Sequence, residues 1–520
     1  MTEHVSAPAA PGRDAPPATD FAATPPAAET AVTAAAPPIA WRPVLLTAAL
    51  TALLMTAVSG RIGAYSNELY FIGAGGHPAW GYADQPPLVP LLAHGLWTLT
   101  PSLVLLRVPA TLCMAAMIVL AALIARELGG GRRPQIIAAV TTATSILLLS
   151  ISSTLATTAV DAALWTLVCW LIIRWNRTRT DRLLLIAGLA TAVALENKYL
   201  IVTLWAVLIL AVLAVGPRTL LRRPALWIGG AVATLSAVPG LLWQSDHDWP
   251  QFAMSSIIAA EAQQDAGGRI GFLPLALLYA GLPVGVALAI RGLWRLWRDE
   301  SQRFLGLTVA GTVLAFWIAG GRHTYTAGML PLLFAAGSIG LHGRAWRLLA
   351  GGPGLALAAL IAVPTSLSVL PVATAVKINI LARGSTGWPG LVDTVATAYK
   401  SAGPGPVAII ADTYRQSGAL DSYGPPLGLP PAYSPNRGYS EFDPPPEAVA
   451  TALWVGTEPP AELRAAFASV TEVARYAGNP YGDLGLNSDV PIWLCTGRQV
   501  PWPGLWSKLK HYDSRERVAS

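Results

Sequence analysis

The chain has 520 residues, of which 53% are hydrophobic and only 12% charged, and its mean hydropathy is +0.49. A water-facing surface requires about 25% charged residues, so this composition excludes a soluble enzyme, a disordered protein and a fibrous one, and leaves a polytopic membrane protein. The formal charge of +6 does not point to nucleic acid: after residue 371 twelve Lys/Arg face thirteen Asp/Glu, and the basic excess lies in short loops between apolar runs.

Residues 1–40 contain fourteen Ala and eight Pro with no long apolar stretch. Such a segment buries too little surface to offset its ordering entropy and lacks the basic start and apolar core of a signal peptide, so a disordered tail is expected. Apolar runs follow at about 44–60, 103–126, 134–152, 159–175, 183–195, 199–216, 225–243, 272–290, 303–319, 328–342 and 351–371. A spanning helix needs about 20 such residues, which predicts about eleven spans over 41–371.

Alternate connections hold sixteen arginines, from Arg126 to Arg347, whereas the opposite set holds only Arg61, Arg107, Lys198, Arg269 and Arg322. Short translocated loops avoid Lys and Arg. A cytoplasmic N-terminus and an extracytoplasmic region from residue 372 are therefore expected. That region, 372–520, alternates β-rich runs (407–411, 452–456, 491–495) with helical patterns (392–401, 462–468), the pattern of an α/β domain. Cys113 and Cys169 lie in apolar runs and Cys495 stands alone, so no disulfide framework is predicted.

The first extracytoplasmic connection, 61–100, reads RIGAYSNELYFIGAGGHPAWGYADQPPLVPLLAHGLWTL before Thr100, too long and too aromatic for a bare turn. Glu68 and Asp84 stand there among Tyr65, Tyr70, Phe71, Trp80 and Tyr82, and a carboxylate desolvated by apolar rings becomes a better proton acceptor at neutral pH. Asp161 opens the 159–175 span, Lys198 follows Glu196 and Asn197, and Arg322, His323 and Tyr325 precede the 328–342 run. Arginine and protonated histidine pair with phosphate oxygens and tyrosine donates to them. Each residue also has a plainer reading, as a solvated loop acid, a helix-terminal charge or a topological arginine. Taken together they describe a membrane-level cavity with carboxylates and a small cationic cluster. Such a cavity suits an enzyme that takes a lipid phosphate from the bilayer better than a solute transporter, since no interrupted helix pair or internal repeat is visible.

The segment NELYFIGAGGHPAWGYADQPPL (67–88), with LRVPATL (106–112), TTAVDAALWTL (157–167), NKYL (197–200) and RHTYTAGMLPLLFAAG (322–337), resembles the family 39 glycosyltransferases. This is the dolichyl-phosphate-mannose protein mannosyltransferase-like group that includes bacterial aminoarabinose-lipid transferases. SYGPPLGLPPAYS, NPYGD and PIWLCTGRQVPWPGLW are similar to a bacterial subgroup.

The resemblance implies a GT-C fold in a bacterial plasma membrane, a polyprenyl-phosphate-linked sugar as donor, inverting transfer, and a protein, lipid or wall glycan as acceptor. It implies a catalytic role for Glu68, Asp84 or Asp161, donor-phosphate contacts from Tyr82, Lys198, Arg322, His323 and Tyr325, and a substrate loop with Asn67, Tyr70, Trp80 and Gln85. Asn67 stands where the family usually has Asp, and Gln85 where aminoarabinose-type members have Lys. Asn cannot act as a general base, so a lipid-headgroup-binding or translocating membrane protein without catalysis is the alternative. Some GT-C enzymes use a divalent cation, but no ligand cluster argues for a metal here.

Overall fold

A computed structural model describes residues 1–7, 36–478, 481–482 and 486–513. The chain falls into two compact units, Met1–Ala35 and Ala36–Ser520. In the first, residues 1–7 are exposed without helix or strand, and most of the expected tail lies outside the described residues. Its expected end at residue 40 shifts slightly: Arg126 Nε donates to the Pro37 carbonyl (2.9 Å), Gln135 Nε2 donates to the Pro38 carbonyl (3.1 Å), and Gln135 Oε1 accepts from Ala40 N–H (2.8 Å).

The second unit is helical up to the C-terminal sheet. Trp41–Val58, Leu103–Glu127, Thr157–Thr178 and Pro224–Asp246 are each long and apolar enough to cross a bilayer. Two broken pairs satisfy the same test jointly, Arg132–Ala143 with Ile146–Ser152 and Gly268–Ala280 with Val284–Arg298, giving up to six spans and correcting the expectation that no helix is interrupted. The remaining apolar runs form shorter helices such as Arg182–Leu195, Ile201–Val215, Arg303–Ile318 and Gly352–Ser366. At 1.5 Å per residue these reach only about 20 Å, so counting apolar runs gives eleven where full-length spanning helices are fewer. The run 272–290 is not one helix. Gly281 at φ 115° and Pro283 break it, and its two halves meet at 110°.

Large apolar side chains on the helix exteriors stay uncovered, among them Leu46, Leu53, Trp227, Leu235, Leu242 and Leu210. Such a surface suits hydrocarbon, where every backbone polar group must be satisfied within the helix. The helices Arg182–Leu195 and Pro224–Asp246 cross at Gly188 and Gly229. A Cβ on Gly229 would lie 2.9 Å from the Leu184 carbonyl oxygen, and one on Gly188 would collide with the Gly229 backbone.

The C-terminal region carries a five-stranded sheet in the order β2-β1-β3-β5-β4. The strands are β1 (Val407–Ala411), β2 (Ala432–Tyr433), β3 (Thr451–Val455), β4 (Phe467–Tyr476) and β5 (Val490–Arg498). β1 pairs parallel with β2 and β3, and the β3–β5 and β4–β5 pairs are antiparallel. β1 is buried on both faces and reads as an unbroken apolar run, VAIIA. β4 is mostly exposed and lacks that signal, so its sequence does not announce it.

Two helices position the site. Ser66–Gly75, in the first connection, packs on Tyr414–Tyr423, which follows β1. One apolar cluster joins Tyr70, Phe71 and Tyr82 of the first connection to Tyr414 and Tyr439 of the C-terminal region. Gly73 makes the approach possible, because a Cβ there would overlap the Tyr439 hydroxyl. That hydroxyl donates to Asp421 Oδ2 (2.7 Å), whose pKa burial raises to about 6.

Candidate active site

The three carboxylates expected to share one cavity have separate surroundings. Glu68 is fully buried on the Ser66–Gly75 helix. Its Oε1 accepts from Arg107 Nε (2.9 Å) and Leu155 N–H (2.9 Å), and its Oε2 from Arg107 Nη2 (2.7 Å) and Tyr65 N–H (2.8 Å). Arg107 also donates to the carbonyls of Ser59 and Gly63. A carboxylate with four donors already in place has no lone pair free for an acceptor proton. Glu68 therefore closes the base of the first connection onto Leu103–Glu127, and both of its oxygens are engaged by these donors.

Asp84 is differently placed. It lies in the loop between the Ser66–Gly75 and Leu88–Leu99 helices and is half-buried. Tyr70 OH donates to its Oδ1 at 2.6 Å. Burial raises the Asp84 pKa, against the pull of Arg437 and the Tyr70 hydrogen bond. Burial and the neighbouring Asp84 push the Tyr70 hydroxyl far above its ordinary value, so it stays a donor.

Beside Asp84 stands a network that includes residues absent from the sequence-based expectation. Glu261, on the unforeseen helix Pro250–Ala266, accepts from Arg322 Nη2 at 2.7 Å and also pairs with Arg437 Nη2. Arg437 is buried with its backbone in the left-handed region (φ 49°), its Nε donates to the Tyr512 carbonyl (3.0 Å), and its guanidinium lies 5.1 Å from the Tyr414 ring centroid. Burial opposes its charge, but Tyr414, Glu261 and Asp84 outweigh burial and raise its pKa. Gly438 touches Tyr70, and a Cβ there would overlap the Tyr70 hydroxyl. Tyr414 packs edge-on against Tyr70 (4.7 Å) and its hydroxyl approaches Asn67 Oδ1 (3.5 Å), while Arg415 Nε donates to that same hydroxyl (2.9 Å).

The rest of the expected cationic cluster comes from two segments, the turn with Lys198 and the loop with His323 and Tyr325. Lys198 Nζ sits 4.5 Å from the Tyr325 ring centroid and is near enough to Asp161 to interact electrostatically. His323 stacks on Tyr279 (5.4 Å), and burial, reinforced by Arg322, pushes its pKa down to about 4. Burial thus disfavours the charged form of His323 at neutral pH. The Tyr82 hydroxyl donates to the His77 carbonyl (3.0 Å) rather than standing free for a phosphate. Trp80 is 64% exposed and sits on the surface.

The segment carrying Asp84 is held from two sides. Gln244 Nε2 donates to the Tyr82 carbonyl (3.1 Å), and Leu88 N–H donates to the Glu196 carbonyl (2.9 Å), which brings the Asn197–Lys198 turn beside it. Gln85 Nε2 and Asn197 Oδ1 are buried without a hydrogen-bond partner among the described residues. Buried polar atoms are ordinarily paired, so these two are exceptions. Among the described residues no three His, Cys, Asp or Glu converge to hold a metal ion.

Arg437, Tyr414 and Arg415 lie in the C-terminal stretch, Arg437 in its loop-rich part and the other two at the start of the helix Tyr414–Tyr423. Glu261 lies in a connection that showed only Arg269 as a marker. The one local signal was the turn-like SPNRGY run around Arg437, whose meaning depends on a contact with Tyr70 more than 300 residues away.

Residues 84–243 match the dolichyl-phosphate-mannose-protein mannosyltransferase family. No curated protein matches the chain by sequence. Among solved structures it is similar to ArnT from Cupriavidus metallidurans in the apo state, with a TM-score of 0.61, 14% identity, and coverage of 87% of this chain and 97% of that one. It is similar also to the same protein bound to undecaprenyl phosphate, with a TM-score of 0.58, 14% identity and the same coverage. The fold is thus like that of ArnT, and residues 84–243 are similar to the dolichyl-phosphate-mannose-protein mannosyltransferase family.

Proposed function

We propose that the protein transfers a sugar from a polyprenyl-phosphate donor to an extracytoplasmic acceptor with inversion, and that Asp84 is the proton acceptor. The acceptor hydroxyl gives its proton to the Asp84 carboxylate as its oxygen bonds to the anomeric carbon. The bond from that carbon to the phosphate oxygen breaks on the opposite face, and the lipid phosphate leaves with the electron pair. Its growing negative charge is met by preorganised cations, Arg322, Arg437 and Lys198. The observation that carries this reading is the Tyr70–Asp84 pair beside the Glu261–Arg437–Arg322 network: a reachable carboxylate next to fixed guanidinium groups. Solved ArnT with undecaprenyl phosphate supports the donor class.

The test uses purified protein with a polyprenyl-phosphate sugar labelled in the sugar. Release of free polyprenyl phosphate with transfer of label supports the enzyme, and binding without release supports a headgroup-binding protein. The proposed plasma-membrane orientation is checked separately with Ala450→Cys, at an exposed position of the C-terminal region. An impermeant maleimide is expected to label it in intact cells; labelling in lysed cells alone reverses the orientation.

A further inference from the structure

Among the described residues three buried carboxylates are clamped by arginine, and one differs from the others. Glu68 with Arg107 is saturated within the first connection and the bundle. Glu127, about 30 Å from Arg107 along the same helix, takes Arg126, Arg174 and Arg177, all from the bundle. Glu261 joins arginines of two different regions: Arg322, from the loop after Arg303–Ile318, and Arg437, from the C-terminal region.

The two arginines are held unequally. Arg437 is fixed by its backbone, by the Tyr512 carbonyl and by the Tyr414 ring, and its side chain is 10% exposed. Arg322 has a side chain 42% exposed, so the seat between them is open on one flank. Glu261 belongs to a helix whose other face is solvent-exposed, with Phe252, Ser255, Ser256, Gln263 and Gln264 uncovered.

A carboxylate spanning two guanidinium groups occupies the arrangement that a phosphate takes, since both offer paired oxygens to planar N–H forks. Without an anion between them, the partly desolvated arginines would repel. Asp84 already lies in the field of Arg437, so a phosphate arriving with Glu261 still in place would meet two carboxylates.

We propose that Glu261 is a built-in anion that holds the Arg322–Arg437 seat between turnovers, and that the phosphate of the lipid donor displaces it. This rests on the lipid-phosphate reading given above. On displacement the Pro250–Ala266 helix loses its tie to both arginines, and after transfer the returning carboxylate helps to expel the lipid phosphate.

The experiment uses the full chain in nanodiscs with undecaprenyl phosphate as the probe, measuring affinity and amide hydrogen exchange over residues 255–265. Ligand is expected to raise exchange over this stretch in the wild type. Glu261→Gln is expected to bind about tenfold more tightly and to show high exchange without ligand, while Glu261→Asp stays close to the wild type. Ligand that binds and lowers exchange there, or a folded Glu261→Gln that binds no more tightly, overturns the displacement while leaving the lipid-phosphate reading intact. If the variant fails to fold, the wild-type exchange result decides alone. A wild type that binds no undecaprenyl phosphate overturns both.

Discussion

Asp84→Asn is expected to lower sugar transfer by about 10²–10⁴-fold, the range for removing a positioned general base, while the protein keeps its thermal stability and still binds lipid phosphate. Asparagine fits the same space, and its carbonyl still accepts from Tyr70 OH, so the 2.6 Å contact has a substitute. What disappears is the capacity to take a proton. The pH profile gives a second check. Burial raises the Asp84 pKa, so the basic form is populated above the raised value and kcat/KM falls as pH drops through it. Tyr70→Phe removes the hydrogen bond that favours the charged form and leaves desolvation unopposed by it, so the acid limb moves to higher pH. Unchanged transfer by Asp84→Asn would remove Asp84 from the reaction.

Arg107→Ala is expected to give the largest loss of stability. It leaves Glu68 fully buried and without its bidentate partner, and breaking one side of a buried ion pair costs about 3–5 kcal/mol, a large share of the 5–15 kcal/mol typical of a folded domain. Thermal unfolding in detergent measures it. Arg107→Lys recovers only part, because an ammonium cannot reproduce the fork that reaches both oxygens. Arg107→Ala combined with Glu68→Gln is expected to be more stable than Arg107→Ala alone, since it removes the stranded charge. A Glu68→Gln protein of wild-type stability that has lost transfer selectively would return Glu68 to catalysis.

The contrast between Glu68 and Asp84 shows what the sequence could convey. Both are acids in one aromatic loop, and composition predicts the same desolvation for both. Their difference lies in Arg107 and Leu155, distant in sequence and brought in by packing. The apolar runs were legible because hydrophobicity is a local property, as was the buried strand Val407–Ala411. The break at Gly281–Pro283 was written in residue types but masked by the unbroken hydropathy around it. Glu261 and Arg437 were illegible for a stricter reason. A lone acid or arginine in a loop acquires meaning only from its partner, and these partners lie 176 residues apart. His323 illustrates the reverse case: its neighbours suggested a cation, whereas burial against Tyr279 disfavours the charged form.

The glycine crossing of Arg182–Leu195 with Pro224–Asp246 would also constrain how the isoprenoid tail of the proposed donor reaches the site. Backbones in contact at Gly188 and Gly229 leave no room for an intervening methyl, let alone a chain of them. These two helices behave as a single welded plank, and any seam that parts to let the tail slip in sideways lies at another flank of the bundle.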